Sequence, residues 1–388
     1  MKITRMILIH SLILSVMVFF SSFSHAKQGG DYLMFVGTYA ANSDPGIYVY
    51  RLDSRKGSLH LLREVSGCKN PSFLAIAPSH EFLYAVNESG QYKDRDSGAV
   101  TAFALDKSTG ALAYLNEQPS HGRGPCHVTV DRSGRWVLCA NYGGGSAAAF
   151  PIFEDGKLGK ASSVVRHEGS SVHPRRQTKA YAHSINLSPD NRYAYVADLG
   201  MDKTMIYRFD DKAGTLEANE PSHFASFPGS GPRHFTFHPN GRLAFLIEEL
   251  RCTVTAMRYD AASGGLARVQ TISTLPLSFD RSNTCADIHV HPNGRFVYGS
   301  NRGHDSIVIY AVDPETGRLS FVGHESVRGI RPRNFNIDPT GSYLFAANQV
   351  TDNIVTFEIN QETGALRPTN QAVSVPNPVC IQFMPMAK

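Results

Sequence analysis

The sequence has little of several features that other protein classes require. It contains a single tryptophan, and its six cysteines form neither a Cys-x-x-Cys pair nor a Cys/His spacing suited to a metal. Lysine and arginine form no dense run, and the formal net charge is only +4, which argues against nucleic-acid binding. No helical period of useful length follows the N-terminal segment. We therefore expect no metal, no cofactor and no nucleic-acid partner.

The N-terminus has the order of a secretory signal. Lys2 and Arg5 precede an apolar run from Met6 to Phe20, and a small-residue stretch ends in Ser24-His25-Ala26. This pattern predicts a signal peptide, residues 1–26, cleaved after Ala26. The alternative is an uncleaved anchor helix, for which the apolar core is short compared with a span of about 20 residues. We expect residues 27–388 to be periplasmic or secreted, without membrane contact, and their cysteines to be either paired or buried as thiols.

A turn followed by Gly-x-Leu recurs along the whole mature chain. Each copy follows an alternating apolar run, which is the pattern of a β-hairpin. The seven copies are Gly57-Ser-Leu59, Gly110-Ala-Leu112, Gly156-Lys-Leu158, Gly214-Thr-Leu216, Gly264-Gly-Leu266, Gly317-Arg-Leu319 and Gly364-Ala-Leu366. The even spacing indicates a repeat architecture.

A second block lies between these hairpins and holds two further strands. One copy is Phe235-Thr-Phe-His-Pro-Asn-Gly-Arg-Leu-Ala-Phe-Leu-Ile-Glu248, and another begins at Ile288. Each unit of about fifty residues thus has about four strands, which is typical of a propeller blade. The C-terminal strand near 377–383 and the N-terminal strand near 32–38 supply the two halves of one block. We predict an all-β, seven-bladed β-propeller closed by its terminal strands, rather than two packed β-sandwiches.

Two sets of columns hold polar residues that differ from blade to blade. The first, at the start of each innermost strand, reads Ser72-Phe73, Cys126-His127, His183-Ser184, Arg233-His234, Ala286-Asp287 and Arg333-Asn334. The second, at the end of the next strand, reads Asn87-Glu88, Asn141-Tyr142, Asp198-Leu199, Glu248-Glu249, Asn301-Arg302 and Asn348-Gln349. Because antiparallel neighbours bring these ends to one rim, we expect both sets at one channel mouth.

Each column also has a purely structural interpretation. The recurring Asn or Asp at the end of the second strand is typical of a turn or of a bridge between blades. The residues that follow it share no type, so a common structural role explains them poorly. A buried ion-pair network remains the alternative to a binding or catalytic site.

These residues resemble a known family, the lactonase-type seven-bladed propellers, which include 6-phosphogluconolactonases and carboxy-muconate cyclases. The resemblance covers essentially the whole mature chain. It rests on Gly231-Pro-Arg-His-Phe-Thr-Phe-His-Pro-Asn-Gly241, Glu248-Glu-Leu250, Ala286-Asp-Ile-His-Val-His-Pro-Asn-Gly-Arg295, Asn301-Arg302, Arg331-Pro-Arg-Asn-Phe335, Gly169-Ser-Ser-Val-His-Pro174, Arg176-Gln177 and Ala182-His-Ser184.

The resemblance implies that His183, Arg233, Glu249 and Arg302 occupy the positions that the cyclase members use. On this basis we expect Arg233 and Arg302 to clamp an anion, Glu249 to act as general base or acid, and His183 to polarise the carbonyl or share proton transfer. Secondary substrate contacts are expected from His127, His234, Arg333 and Gln177. Ala180-Tyr181 stands where members often have Pro-His, which bears on substrate preference.

The function implied is hydrolysis of a sugar or organic-acid lactone, and we expect the protein to act as a monomer. Export favours an unphosphorylated lactone, because the phosphorylated substrate of the family is cytoplasmic. Alternatives are a carboxy-muconate-type lactonizing cycloisomerase and a ligand-binding or scaffold propeller without turnover. A quinoprotein dehydrogenase is a weaker alternative, because such propellers use eight blades with tryptophan docking motifs.

Overall fold

A computed structural model describes residues 30–387 of the chain, so the expected signal peptide, residues 1–26, lies outside the described residues. Within this range the chain forms strands and turns and no α-helix. The strands are β1 Asp31–Thr38, β2 Ile47–Asp53, β3 Ser58–Val65, β4 Leu74–Ile76, β5 Phe82–Asn87, β6 Ala99–Leu105, β7 Leu112–Pro119, β8 Pro125–Val130, β9 Trp136–Asn141, β10 Ser146–Pro151, β11 Ser163–Arg166, β12 Ala182–Leu187, β13 Tyr193–Asp198 and β14 Lys203–Asp210. They continue with β15 Thr215–Ala225, β16 Pro232–Phe237, β17 Leu243–Glu248, β18 Thr253–Tyr259, β19 Leu266–Ser273, β20 Thr284–Val290, β21 Phe296–Arg302, β22 Ser306–Val312, β23 Leu319–Ser326, β24 Pro332–Ile337, β25 Tyr343–Asn348, β26 Asn353–Ile359, β27 Leu366–Ser374 and β28 Pro378–Pro385.

The strands of residues 30–387 form seven antiparallel sheets of four strands each. The first blade has the order β28-β1-β2-β3, and the second to seventh blades are β4–β7, β8–β11, β12–β15, β16–β19, β20–β23 and β24–β27. In each blade the first strand named contacts the equivalent strand of a neighbouring blade, so these seven strands surround the central channel. The predicted seven-bladed propeller is confirmed.

The ring closes where the two ends of the described chain meet. β1 pairs antiparallel with β28, with Tyr32 opposite Pro385 and Val36 opposite Ile381. The same strand pairs on its other side with β2. The first blade is therefore built from both ends of the described chain, as the sequence predicts.

The Gly-x-Leu turns hold adjacent blades together. Gly214 has a φ of +68°, and a Cβ on it would lie 2.1 Å from the ring of Trp136 in the preceding blade. Gly264 likewise packs on Tyr193, and its carbonyl accepts a hydrogen bond of 2.7 Å from the Tyr195 hydroxyl. Glycine is required at these turns because any side chain would be strained by the backbone and would collide with the neighbouring blade.

The hydrophobic core lies between the blades, because both faces of each sheet are covered. Phe245 and Ile247 of the fifth blade, for example, pack with Val308 and Tyr310 of the sixth. All six cysteines are buried as unpaired thiols, and all but Cys126 belong to this core. No helix within residues 30–387 has the length and apolar character needed to cross a membrane.

Candidate active site

A β-bulge at the start of the innermost strand positions four of the candidate side chains. In six blades the pairing with the second strand shifts by one residue at this point. In the third, fourth, fifth and seventh blades the extra residues are Cys126, His183, Arg233 and Arg333. A bulge redirects the side chain of its extra residue, and here it turns each one toward the rim of the channel.

The residues that follow the second strands are held by one repeated backbone contact. The amide of Glu249 donates to the carbonyl of Gly231 at 2.7 Å, and that of Glu88 donates to Asn70 at 3.1 Å. Tyr142 makes the equivalent bond to Gly124 at 2.8 Å. The hydrogen bond ties the end of each second strand to the segment that enters the first strand. It therefore places the blade-specific side chains at the same height around the rim.

The two sets of side chains enclose a cavity of about 310 Å³ at this rim. It is lined by Glu88, Cys126, Tyr142, Arg176, His183, Glu249, Thr284, Arg302, Arg331 and Arg333. We call it the rim cavity. A volume of this size lies at the lower end of the range for small-molecule sites.

Glu249 lies at the centre of an arginine cluster on one side of the rim cavity. Its Oε2 is 3.0 Å from Arg233 Nε and 3.0 Å from Arg302 Nη2. Its Oε1 accepts a hydrogen bond of 2.5 Å from Arg176 Nη2. Arg176 also donates to the hydroxyl of Tyr142 at 3.3 Å. Three guanidinium groups from different parts of the chain thus converge on one carboxylate.

The cluster determines the protonation state of its members. Burial alone would raise the pKa of Glu249, but Arg302, Arg233 and Arg176 together lower that pKa to about 2. Burial lowers the pKa of Arg302 to about 9, against the attraction of Glu249. At neutral pH Glu249 is therefore ionised and Arg302 is still protonated.

His183 faces the same cavity from the fourth blade. Burial, followed by the charge of Arg233, lowers the pKa of His183 well below 6.5. Its Nδ1 lies 3.7 Å from Cys126 Sγ, and its ring meets that of Tyr142 edge-on at 5.3 Å. His183 is therefore neutral at neutral pH and can offer one ring nitrogen as an acceptor.

His127 and His234 do not reach the rim cavity. Each follows the extra residue of a bulge. Both line a second cavity of about 280 Å³, in which Asp287 Oδ1 is 2.6 Å from His234 Nδ1. The prediction that both residues of each first-column pair lie at one mouth is therefore wrong in position for these two, because adjacent side chains of a strand do not share a direction. Their contact with substrate stays a prediction.

A layer of rings separates the two cavities. The rings of Phe73 and His127 are 4.2 Å apart, and His234 lies 5.5 Å from His127 and 5.4 Å from His183. We call these four residues the ring layer. Because His183 lines the rim cavity and the other three line the second cavity, the ring layer lies between the two cavities.

Gln177 does not line the rim cavity either, although Arg333 does. The Gln177 side chain is buried, donating to the carbonyl of Leu199 at 2.9 Å and accepting from the amide of His173 at 3.0 Å. Gln177 thus fixes the loop that carries Arg176. One end of its amide is used within the loop and the other at the end of β13, so Gln177 has a structural role here, and its contact with substrate stays a prediction.

The Asn and Asp residues that end the second strands connect neighbouring parts of the ring. Asn141 Nδ2 donates to the Ser120 carbonyl at 2.9 Å, and Asn301 Nδ2 donates to the Thr274 carbonyl at 2.9 Å. These contacts tie the strand to the segment that arrives from the outer strand of the preceding blade. The structural interpretation of this column agrees with the geometry.

The rim cavity includes residues that the sequence did not single out as site residues. Glu88 and Tyr142 occupy the same column as Glu249, so their position relative to the strand could have marked them. Arg176 comes from a long loop outside the repeat, where no column exists. Within residues 30–387 no group of three or more His, Cys, Asp or Glu side chains is arranged to hold a metal ion.

Comparison with known proteins gives a consistent result. The family model "Lactonase, 7-bladed beta-propeller" matches residues 33–383. The 6-phosphogluconolactonase of Bacillus subtilis is 39% identical over 354 residues, covering 91% of this chain and 98% of that protein. The 6-phosphogluconolactonase of Formosa agariphila is 37% identical over 310 residues, covering 78% of this chain and 86% of that protein. The periplasmic gluconolactonase of Pseudomonas aeruginosa superposes with a TM-score of 0.86 at 35% identity, covering 92% of this chain and 100% of that one. The chain belongs to the seven-bladed β-propeller lactonase family.

Proposed function

We propose that this protein is a lactone hydrolase that acts in the rim cavity. The relatives named as 6-phosphogluconolactonases and as a gluconolactonase support this reaction class. The observation that carries the proposal is the excess of arginine side chains over carboxylates around the rim cavity.

The rim cavity has an excess of positive charge. Four arginines and two glutamates line it, which leaves two more positive than negative charges. Arg302 Nε is buried and has no hydrogen-bond partner among residues 30–387. Lactone hydrolysis passes through a tetrahedral oxyanion and ends in a carboxylate. Donors that are already in place and desolvated stabilise such charge strongly.

The arrangement suits a direct attack by water. The lactone carbonyl oxygen is bound by Arg302. The oxygen of the water bonds to the carbonyl carbon while Glu249 takes one proton from that water. Collapse of the intermediate breaks the bond to the ring oxygen, which receives that proton as an alcohol. The new carboxylic acid then releases its own proton to solvent. Arg233 and Arg176 keep Glu249 in place throughout.

The low pKa of Glu249 is compatible with this role. In the cluster without substrate, Arg302 bonds to Glu249 through Nη2. As the oxyanion forms, the charge of Arg302 is shared between Glu249 and the substrate oxygen. The proton affinity of Glu249 therefore rises at the step in which it takes up the proton. Neutral His183 accepts a hydrogen bond from the same water or from the departing hydroxyl group.

We further propose an exported, monomeric enzyme that hydrolyses an unphosphorylated sugar or organic-acid lactone. The sequence of residues 1–26 supports export. The periplasmic location named for the Pseudomonas aeruginosa relative is consistent with it.

The test is a lactone panel assayed with the purified chain beginning at Lys27. Arg302→Ala is expected to lower kcat by about 10²–10³-fold, the usual effect of removing one oxyanion donor. Arg251→Ala is the matched control, because Arg251 is exposed and does not line the rim cavity. Hydrolysis of no lactone by the wild type, or equal activity of the two variants, would contradict the proposal and favour a binding propeller without turnover.

A further inference from the structure

The rim cavity contains two carboxylates in very different surroundings. Glu249, after β17 of the fifth blade, has both oxygens bound by arginines. Glu88, after β5 of the second blade, lines the same cavity. Within the described chain no arginine or lysine lies within ion-pair distance of Glu88, and its side chain is half-buried. The reaction proposed above uses Glu249 and leaves Glu88 without a role.

Glu88 is held rigidly by two hydroxyl groups. Its Oε2 accepts hydrogen bonds from Tyr39 Oη at 2.9 Å and from Ser72 Oγ at 2.5 Å. Its backbone is fixed from both sides, because its amide donates to Asn70 O and its carbonyl accepts from Asn70 Nδ2 at 3.1 Å. The Oε1 atom makes no hydrogen bond to any residue from 30 to 387. A carboxylate oxygen with open acceptor positions therefore faces the rim cavity.

Arg333 lies beside Glu88 and offers hydrogen-bond donors and a positive charge where Glu88 offers an acceptor. Its guanidinium lies 5.5 Å from the centre of the Tyr39 ring and makes no hydrogen bond within the part of the chain described. Burial alone would lower the pKa of Arg333, but Tyr39 and Glu88 raise that pKa above its ordinary value, so Arg333 remains a cation. This side of the cavity thus offers an acceptor and several donors next to each other, anchored by residues of three blades.

The combination matches one substrate chemistry. A carboxylate oxygen that accepts and a planar guanidinium that donates suit vicinal hydroxyl groups, each of which donates and accepts hydrogen bonds. Lactones of aromatic or aliphatic acids lack such hydroxyls and would leave Glu88 Oε1 desolvated without a partner. Buried polar groups left unpaired in this way reject the wrong substrate.

We propose that Glu88, positioned by Tyr39 and Ser72, binds ring hydroxyl groups of a polyhydroxylated lactone and so selects sugar lactones over lactones without hydroxyls. The inference rests on the lactone hydrolysis proposed above. It assigns Glu88 to recognition of the part of the substrate away from the reacting carbonyl, which lies at Arg302 and Glu249.

The test compares D-glucono-1,5-lactone with δ-valerolactone, which has the same ring without hydroxyls. Glu88→Gln is expected to lower kcat/KM for gluconolactone by about 10- to 100-fold, mainly through KM, because a charged acceptor is lost. The value for δ-valerolactone is expected to change by less than about threefold, as for substitutions away from the reacting atoms. The δ-valerolactone activity also shows that the variant folds, since glutamine keeps an acceptor for Tyr39 and Ser72.

The matched control is Gln349→Ala. Gln349 occupies the equivalent column of the seventh blade but does not line the rim cavity, so both substrates are expected to react as with the wild type. An equal loss on both lactones in Glu88→Gln would make Glu88 part of the reacting centre and overturn the proposal. An unchanged rate on gluconolactone would overturn it as well.

A binding measurement separates this proposal from the proposed function. If the wild type hydrolyses neither lactone, hydrolysis is wrong, but recognition is still measurable by titration calorimetry with D-gluconate and pentanoate. Tighter binding of D-gluconate by the wild type, lost in Glu88→Gln, would support hydroxyl recognition. Equal affinities for the two acids would reject it.

Discussion

Replacing Glu249 by glutamine removes the charge of the carboxylate but keeps its shape. A fall of the pKa from 4.5 to about 2 is worth about 3 kcal/mol, because each pKa unit corresponds to about 1.4 kcal/mol. Breaking a buried ion pair by removing one partner typically costs a similar amount, about 3–5 kcal/mol. We therefore expect Glu249→Gln to lower the free energy of unfolding at pH 7 by about 3 kcal/mol, while kcat for a lactone falls by about 10²–10⁴-fold.

The neighbouring glutamate provides a matched control. Glu248 is also buried, but its partners are the hydroxyls of Thr253 at 2.6 Å and Thr255 at 3.2 Å. Burial raises the pKa of Glu248, so its charged form is disfavoured in the folded protein. Glu248→Gln is therefore expected to change the free energy of unfolding by less than about 1 kcal/mol.

Urea unfolding of the wild type and both variants between pH 7 and pH 3 is the assay. The pKa of Glu249 is lower in the folded than in the unfolded chain, so its stabilisation is complete above the ordinary value of 4.5 and is lost as the pH falls toward 2. The difference between the wild type and Glu249→Gln must therefore shrink below about pH 4.5. Equal destabilisation by the two variants, or a difference independent of pH, would refute the electrostatic argument. Full lactonase activity in Glu249→Gln would refute the proton-transfer role.

Three other predictions concern the fold and the export of the protein. Without reductant, we expect a thiol reagent to label no cysteine in the folded protein and all six after unfolding, because all are buried and unpaired; fewer than six would show disulfides. Gly214→Ala is expected to destabilise by more than about 1 kcal/mol, since its Cβ would lie 2.1 Å from the Trp136 ring, whereas Gly67→Ala, with φ +91° and open space, meets only the backbone strain. Denaturation midpoints compare the two, and similar values would contradict the packing argument. N-terminal sequencing of the exported protein is expected to begin at Lys27, and an intact N-terminus in the membrane fraction would favour an anchor helix.

Most of the fold could be predicted because the signals are local and repeated. Alternation of apolar residues defines each strand, and glycines such as Gly214, with φ +68°, mark the hairpins. The closing pair of β1 and β28 follows from two half-blocks at opposite ends of the chain. Glu249, His183 and Arg302 could be singled out because a pseudo-symmetric ring makes unlike residues in one column conspicuous.

The rest of the site depends on features that local patterns do not show. A bulge adds one residue without changing the appearance of a strand, so the sequence does not show that Arg233 reaches Glu249 while His234 lines the second cavity. Arg176 reaches Glu249 because Gln177 and His173 shape an irregular loop. The sequence also does not show which oxygen of Glu249 each of the three guanidinium groups binds, because that depends on the folded arrangement of the rim.

The ring layer has a consequence for turnover. Because the ring layer lies between the rim cavity and the second cavity, we expect a lactone to enter and its product to leave through the same opening. The entering lactone ring carries no charge of its own, whereas the departing hydroxy acid is an anion that must leave an arginine-rich chamber. We therefore expect departure to be slower than entry and accumulated product to compete with fresh substrate. Since salt screens the arginines, a higher ionic strength is expected to speed the release of product.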